Sequence, residues 1–147
     1  MIEIRPYENT DEDDVIQLWM MVFPHQPAHN NPYDDIRAKL KVQPELFFVA
    51  VSDDQLVGSA MAGFDGHRGW VYYVAVHPEF RRRGIGSALM SRVEKALYEI
   101  GCSKLNLQIR ADNHQVKSFY ESLGYLIENR ISMGKRLGVK VGESNSS

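Results

Sequence analysis

Apolar residues recur along this chain at two spacings, and each spacing predicts an element type. Val15, Leu18, Trp19 and Val22 fall three and four apart behind the acids Asp11 to Asp14. That predicts a helix with Thr10 as N-cap and an acidic first turn at the positive end of its dipole. Ile85, Leu89, Val93, Ala96, Leu97 and Ile100 mark one face of a longer helix that stops at Gly101. Two shorter helices are expected: PYDDIRAKLKV, with Asn31 as cap and Pro32 in the first turn, and NHQVKSFYESLG, with Asn113 as cap and Gly124 as stop.

Runs of β-branched and aromatic residues predict the strands IEIRPY, LFFVAVSD, QLVGSAMAGFDG, WVYYVAV and KLNLQI. The second and third meet at Asp53-Asp54, the turn of an antiparallel hairpin. Residues 70 to 76 carry neither charge nor alternation, as expected of a strand buried on both faces. YLIENRISMGKRL reads as one or two closing strands. Residues 24 to 32 read as a surface loop: His25 and His29 have the spacing of paired metal ligands on a helix, but Pro27 lies between them. The order predicts a mixed α/β (α+β) fold, a mixed sheet with helices packed on it. One domain is expected over residues 1–138, with 139–147 a disordered tail that has little to bury.

Composition narrows the function. A chain of 147 residues, 44% hydrophobic, can bury a core without metals or disulfides. Its net charge of −2 argues against a general nucleic-acid binder. The single cysteine, Cys102, excludes an intramolecular disulfide and a four-cysteine zinc site, and fits a reducing compartment. The N-terminus is too acidic for a signal peptide, and no apolar run approaches the ~20 residues that span a bilayer. The expectation is a cytoplasmic protein without metal, membrane or nucleic-acid partner.

The stretch HPEFRRRGIGSALM, residues 77 to 90, sets three arginines against a glycine pair between a strand and a helix. Amides at a helix start lack intrahelical acceptors and point outward with the positive end of the dipole. Gly84 and Gly86 leave the backbone open to close approach, and arginines nearby add charge-assisted hydrogen bonds. The run suits a ligand with two or more phosphates. It lacks the Lys-Ser/Thr of a Walker loop, since Ser87-Ala88 follows, and Leu89 replaces the third small residue of the dinucleotide fingerprint.

VAVHPEFRRRGIGSALM resembles the coenzyme A-binding motif of the GCN5-related N-acetyltransferases, with Arg81, Gly84 and Gly86 at the signature positions. ADNHQVKSFYESLGY resembles the same family's Asn-then-YExxGY segment. The resemblance implies the acyl-coenzyme A N-acyltransferase fold, a central, mostly antiparallel mixed sheet flanked by about four helices. It also implies an acetyl-coenzyme A-dependent transferase acting on a primary amine of a small molecule or peptide, and leaves a homodimer open. Backbone groups of Val74, Ala75 and Val76 would bind the pantetheine arm as an added strand. Arg81 is the motif arginine, and the amides of Arg82, Arg83, Gly84, Ile85, Gly86 and Ser87 would cradle the pyrophosphate. Asn113 would contact the cofactor, and Tyr120 would be the general acid at the departing thiolate, unless it is simply a core aromatic beside Phe119 and Tyr125.

The base stays unassigned. Relatives that acetylate ribosomal protein N-termini carry a glutamate in the fifth strand where this chain has Gln108. Asp65, His67, Arg68, Tyr72 and Tyr73 are the alternatives. Trp19, Phe23 and Tyr33 flank the region where the family shapes its acceptor pocket, although core packing explains Trp19 equally well. A non-catalytic acyl-coenzyme A-binding module is the competing reading.

Overall fold

The computed structural model describes residues 1–24 and 31–138; His25, His29 and the tail expected at 139–147 lie outside the described residues. The chain falls into two compact units, Met1–Gln108 and Ile109–Ser147. No helix among the described residues is long and apolar enough to cross a membrane.

In the first unit, β1 (Ile2–Pro6) leads to α1 (Glu12–Val22) and α2 (Pro32–Lys39). Strands β2 (Phe47–Ser52), β3 (Gln55–Phe64) and β4 (Gly69–Val76) follow, then α3 (Ile85–Glu99) and β5 (Leu105–Asn106). The sheet runs in chain order, antiparallel from β1 to β4 and parallel between β4 and β5. The hairpin at Asp53-Asp54 forms as expected: both aspartates have positive φ, 46° and 67°, and Ser52 faces Gln55.

The helix starts differ from expectation at one place. Thr10 does not cap α1, because Asn9–Asp11 form a 3-10 turn ahead of it. Its anchor is the buried Asp11, whose Oδ2 accepts from the Glu8 amide (2.8 Å) while both carboxylate oxygens accept from the Arg5 guanidinium (2.8 and 2.9 Å). A carboxylate with two acceptor oxygens satisfies more donors here than a hydroxyl could. For α2 the expectation holds: Asn31 Oδ1 accepts from the Tyr33 amide at 3.0 Å, with Pro32 at the first turn.

Helices cover both sheet faces. Val15, Leu18 and Trp19 of α1 and Ile36 of α2 are buried with Phe47, Val49, Met61 and Ala75. Ser59 faces Trp19, so its neighbour Gly58 faces the opposite side, where α3 packs. A Cβ on Gly58 would lie 3.0 Å from Leu89 Cδ1 and 3.2 Å from the Ala75 carbonyl, so glycine at this point sets the closeness of α3 to the sheet. Ile85, Leu89, Val93 and Leu97 are buried as expected. Ile100 lies past the helix end and is exposed, because Gly101, at φ 97°, turns the chain away.

Strand β4 is not buried on both faces. Val71 and Ala75 are buried, but Tyr72 is 52% exposed, since β5 pairs with β4 only at Gly69 and Trp70 and the sheet stops beside the rest of it. Strand β5 is correspondingly short, and Gln108 falls beyond it rather than within it.

The second unit holds α4 (His114–Ser122), capped by Asn113 Oδ1 accepting from the Val116 amide at 3.2 Å and followed by Gly124 at φ 95°. The closing strands expected over YLIENRISMGKRL do not form: residues 125–136 take part in no strand pairing, and Leu126, Ile127, Ile131 and Met133 are exposed. A run of strand-favouring residues becomes a strand only where a neighbouring backbone accepts its ladder.

Candidate functional site

After β4 the chain makes a tight turn over Pro78–Phe80, capped by His77 Nδ1 accepting from the Glu79 amide at 3.1 Å. The three arginines that follow are exposed, and Arg83 lays its guanidinium 4.8 Å from the centre of the Phe80 ring. Arg82 (φ 64°) and Gly84 (φ 78°) both adopt the left-handed conformation, which swings the backbone into α3. The first helical hydrogen bond runs from the Ala88 amide to the Gly84 carbonyl at 3.0 Å. The amides of Ile85, Gly86 and Ser87 therefore precede the helical ladder, at the positive end of a helix of 15 residues. That arrangement can receive an anion.

The second feature is the free edge of β4. Beyond Trp70 the side turned away from β3 pairs with no strand among the described residues, and Val74, Ala75 and Val76 lie on that stretch. Ahead of them the β3–β4 register shifts, so that Ser59 faces Ala75 while Met61 faces Tyr72. Tyr73 sits in this bulge with φ 53°, a left-handed conformation that costs a non-glycine residue about 1–3 kcal/mol. Three contacts offset that cost. The Trp19 indole N–H donates to Ser59 Oγ (2.9 Å), whose hydroxyl donates to the Tyr73 carbonyl (2.7 Å). Trp19 also stacks on the Tyr73 ring, centroids 3.8 Å apart, and the Tyr73 hydroxyl donates to Asp35 Oδ2 at 2.6 Å. Hydrogen bonds of about 1 kcal/mol each and a stacked pair of about 0.5–1.5 kcal/mol balance the strain.

The bulge has a consequence for the side chains. It turns the adjacent Tyr72 and Tyr73 to the same side, and both line a cavity of about 410 Å³ with Asp35 and Lys39 of α2 and Met61 and Gly63 of β3. Gln43 fixes the end of α2 to the end of β3, its side chain accepting from the Phe64 amide (2.8 Å) and donating to the Phe64 carbonyl (3.0 Å). Burial raises the pKa of Tyr73, and the bond to Asp35 raises it further, so this phenol keeps its proton. Burial likewise raises Tyr72 and lowers the Lys39 ammonium.

The remaining candidates sort by place. Asp65 closes the β3–β4 turn by accepting from the amides of His67 and Arg68, both at 2.8 Å, and does not line the cavity. His67 is exposed in that turn, and Gln108 is exposed past β5. Trp19 is buried core, Phe23 meets the Tyr73 ring edge-on at 5.8 Å, and Tyr33 carries the Arg37 guanidinium on its ring. In the second unit Tyr120 is buried, edge-on to Phe119 and Tyr125, and burial pushes its phenol up to about 12. No group of three or more metal-ligating side chains occurs among the described residues.

Asp35 and Lys39 were not among the candidates. In the sequence, Asp35 reads as an acidic residue of a helix first turn and Lys39 as a basic residue of the last, each sufficiently explained by the dipole. Their one-turn spacing beside the buried Ile36 was the available signal.

Residues 12–125 match the model of the acetyltransferase (GNAT) family. A Yersinia enterocolitica protein named as an acetyltransferase is 48% identical over 136 residues, 92% of this chain and 96% of that protein. One from Pectobacterium atrosepticum is 47% identical with the same coverage. Among solved structures, the aminoglycoside N-acetyltransferase AAC(6')-Iy bound to a coenzyme A bisubstrate analogue superposes with a TM-score of 0.79. The superposition covers 92% of this chain and 98% of that one at 19% identity. The Escherichia coli ribosomal-protein-S18-alanine N-acetyltransferase superposes with a TM-score of 0.71 at 24% identity, over 84% and 77%. At these identities the superpositions establish the fold.

Proposed function

The chain belongs to the acetyltransferase (GNAT) family, and on that premise we propose that it moves the acetyl group of acetyl-coenzyme A directly to a primary amine of a small molecule or peptide. The observation that carries this reading is the run of amides ahead of the α3 ladder, reached along the free edge of β4. Val74, Ala75 and Val76 offer about 10 Å of strand edge to the amide-bearing pantetheine arm. The amides from Arg82 to Ser87 receive the pyrophosphate, with Arg81 to Arg83 adding charge. The resemblance of ADNHQVKSFYESLGY to the family's second motif assigns Asn113 to the cofactor as well.

Acetyl-coenzyme A supplies an activated acyl group: the amine nitrogen bonds to the thioester carbon, the carbon–sulfur bond breaks, and the sulfur leaves with the electron pair. The protein's part is to handle protons. An amine attacks only when neutral, and Asp35 is the carboxylate lining the cavity beside the bulge, positioned by Tyr73 to take the ammonium proton. By the same resemblance Tyr120, a phenol whose pKa burial raises, is assigned as proton donor to the departing sulfur. The overall change is ammonium and thioester to amide, thiol and one proton released to water.

The reading of a non-catalytic module rested on Gln108, which cannot accept a proton. A carboxylate in the cavity supplies that function from α2 and favours the enzyme. Thiol release from acetyl-coenzyme A across an amine panel tests this. Coenzyme A binding without turnover of any amine would leave only the binding module.

A further inference from the structure

The cavity beside Tyr73 carries one charge of each sign. Asp35 and Lys39 lie one turn apart on α2, about 6 Å between their β-carbons. Neither is spent on the other. Tyr73 holds Asp35, and none of the ion pairs among the described residues includes Lys39. Glu45, exposed on the turn before β2, forms no salt bridge with it, although its charge still favours the ammonium.

The Lys39 ammonium lies beside the backbone of Gly63, 3.7 Å from where a Cβ would stand, an ordinary contact distance. Its half-burial there lowers the pKa of the ammonium, which stays less well solvated than a surface lysine. An anion placed beside it would oppose that shift and offset part of the desolvation. Met61, Ala62 and Tyr72 also line the cavity and suit a short carbon skeleton. A volume of about 410 Å³ is small-molecule size.

We propose that the acceptor is a small amine that also bears an acidic group, carboxylate or phosphate, with its ammonium at Asp35 and its acid at Lys39. This rests on the acetyl-transfer reading of the same cavity. Asp35 selects the reacting nitrogen, and Lys39 sets the distance of that nitrogen from the rest of the molecule.

The test measures thiol release from acetyl-coenzyme A with L-amino acids, ω-amino acids and aminoalkyl phosphates, each beside its neutral amide or alcohol. The acid-bearing member of the favoured pair is expected to have a kcat/KM higher by on the order of tenfold or more, through KM. K39M erases that preference, K39R keeps most of it, and coenzyme A affinity by calorimetry is unchanged in both. The carboxylate and phosphate arms identify the acid. Equal use of the paired amines, or a preference that survives K39M, overturns the inference and leaves acetyl transfer standing. If coenzyme A binds and no amine turns over, acetyl transfer falls, and titrating the same amines into coenzyme A-loaded protein decides the inference. Binding of the acid-bearing amines that K39M abolishes supports it, and its absence overturns it.

Discussion

The Tyr73 hydroxyl donates to Asp35 Oδ2 at 2.6 Å, joining a bulge in β4 to the first turn of α2. It does so from a left-handed backbone held by a relay from Trp19 through Ser59 to the Tyr73 carbonyl. Packing of the core thus fixes where a cavity carboxylate points.

Ser59→Ala tests that coupling. It leaves the Trp19 indole and the Tyr73 carbonyl without their buried partner, at a cost of about 1–3 kcal/mol. Thermal unfolding should fall by about 2–4 °C per kcal/mol lost. The KM for the amine should rise because Tyr73 loosens, while calorimetric affinity for coenzyme A holds. An unchanged melting temperature would contradict the relay.

Gly86→Glu addresses the anion loop. Gly86 sits half-buried in the first turn of α3, and a carboxylate there opposes a pyrophosphate both sterically and by charge. Coenzyme A binding should be lost by calorimetry while circular dichroism and melting stay near wild type. Retained affinity would remove the pyrophosphate from this turn.

Tyr120→Phe removes the proposed donor while keeping most of the packing against Phe119 and Tyr125. Turnover should fall by about 10²-fold or more at saturating amine, with coenzyme A affinity little changed. Unchanged turnover would return Tyr120 to a packing role.

Acid stability should depend on Asp11. Burial alone would raise this carboxyl, but the hydrogen bonds from Arg5 and the Glu8 amide hold it below its ordinary value. A depressed carboxylate contributes stability above its unfolded pKa and loses it as pH falls through the folded one. The stability advantage of wild type over Asp11→Asn should therefore be full near neutral pH and shrink below about pH 4. Denaturant melts across that range measure it, and a pH-independent difference would contradict it.

Helices with an apolar stripe and a punctuating residue were legible in the sequence: α3 ends before Gly101, and Asn31 and Asn113 cap where their spacing implied. The arginine-glycine turn was legible too, because strand, glycine and helix are local in sequence. What escaped depended on distant chain. Tyr73 looked like one residue of an unbroken buried strand, and only Ser59, Trp19 and Asp35 together make its left-handed conformation tolerable. Asp35 and Lys39 were masked by sufficient local explanations, helix ends being where acids and bases belong. The closing strands failed for the opposite reason: their composition favours strand, but pairing is a property of two backbones.

The most direct measurement is acetyl transfer itself, followed as thiol release from acetyl-coenzyme A together with mass spectrometry of the amine. The account predicts amine-dependent thiol release with stoichiometric appearance of the N-acetylated product, abolished by Gly86→Glu. Thiol release that no amine accelerates, or an amine recovered without an acetyl group, would contradict it.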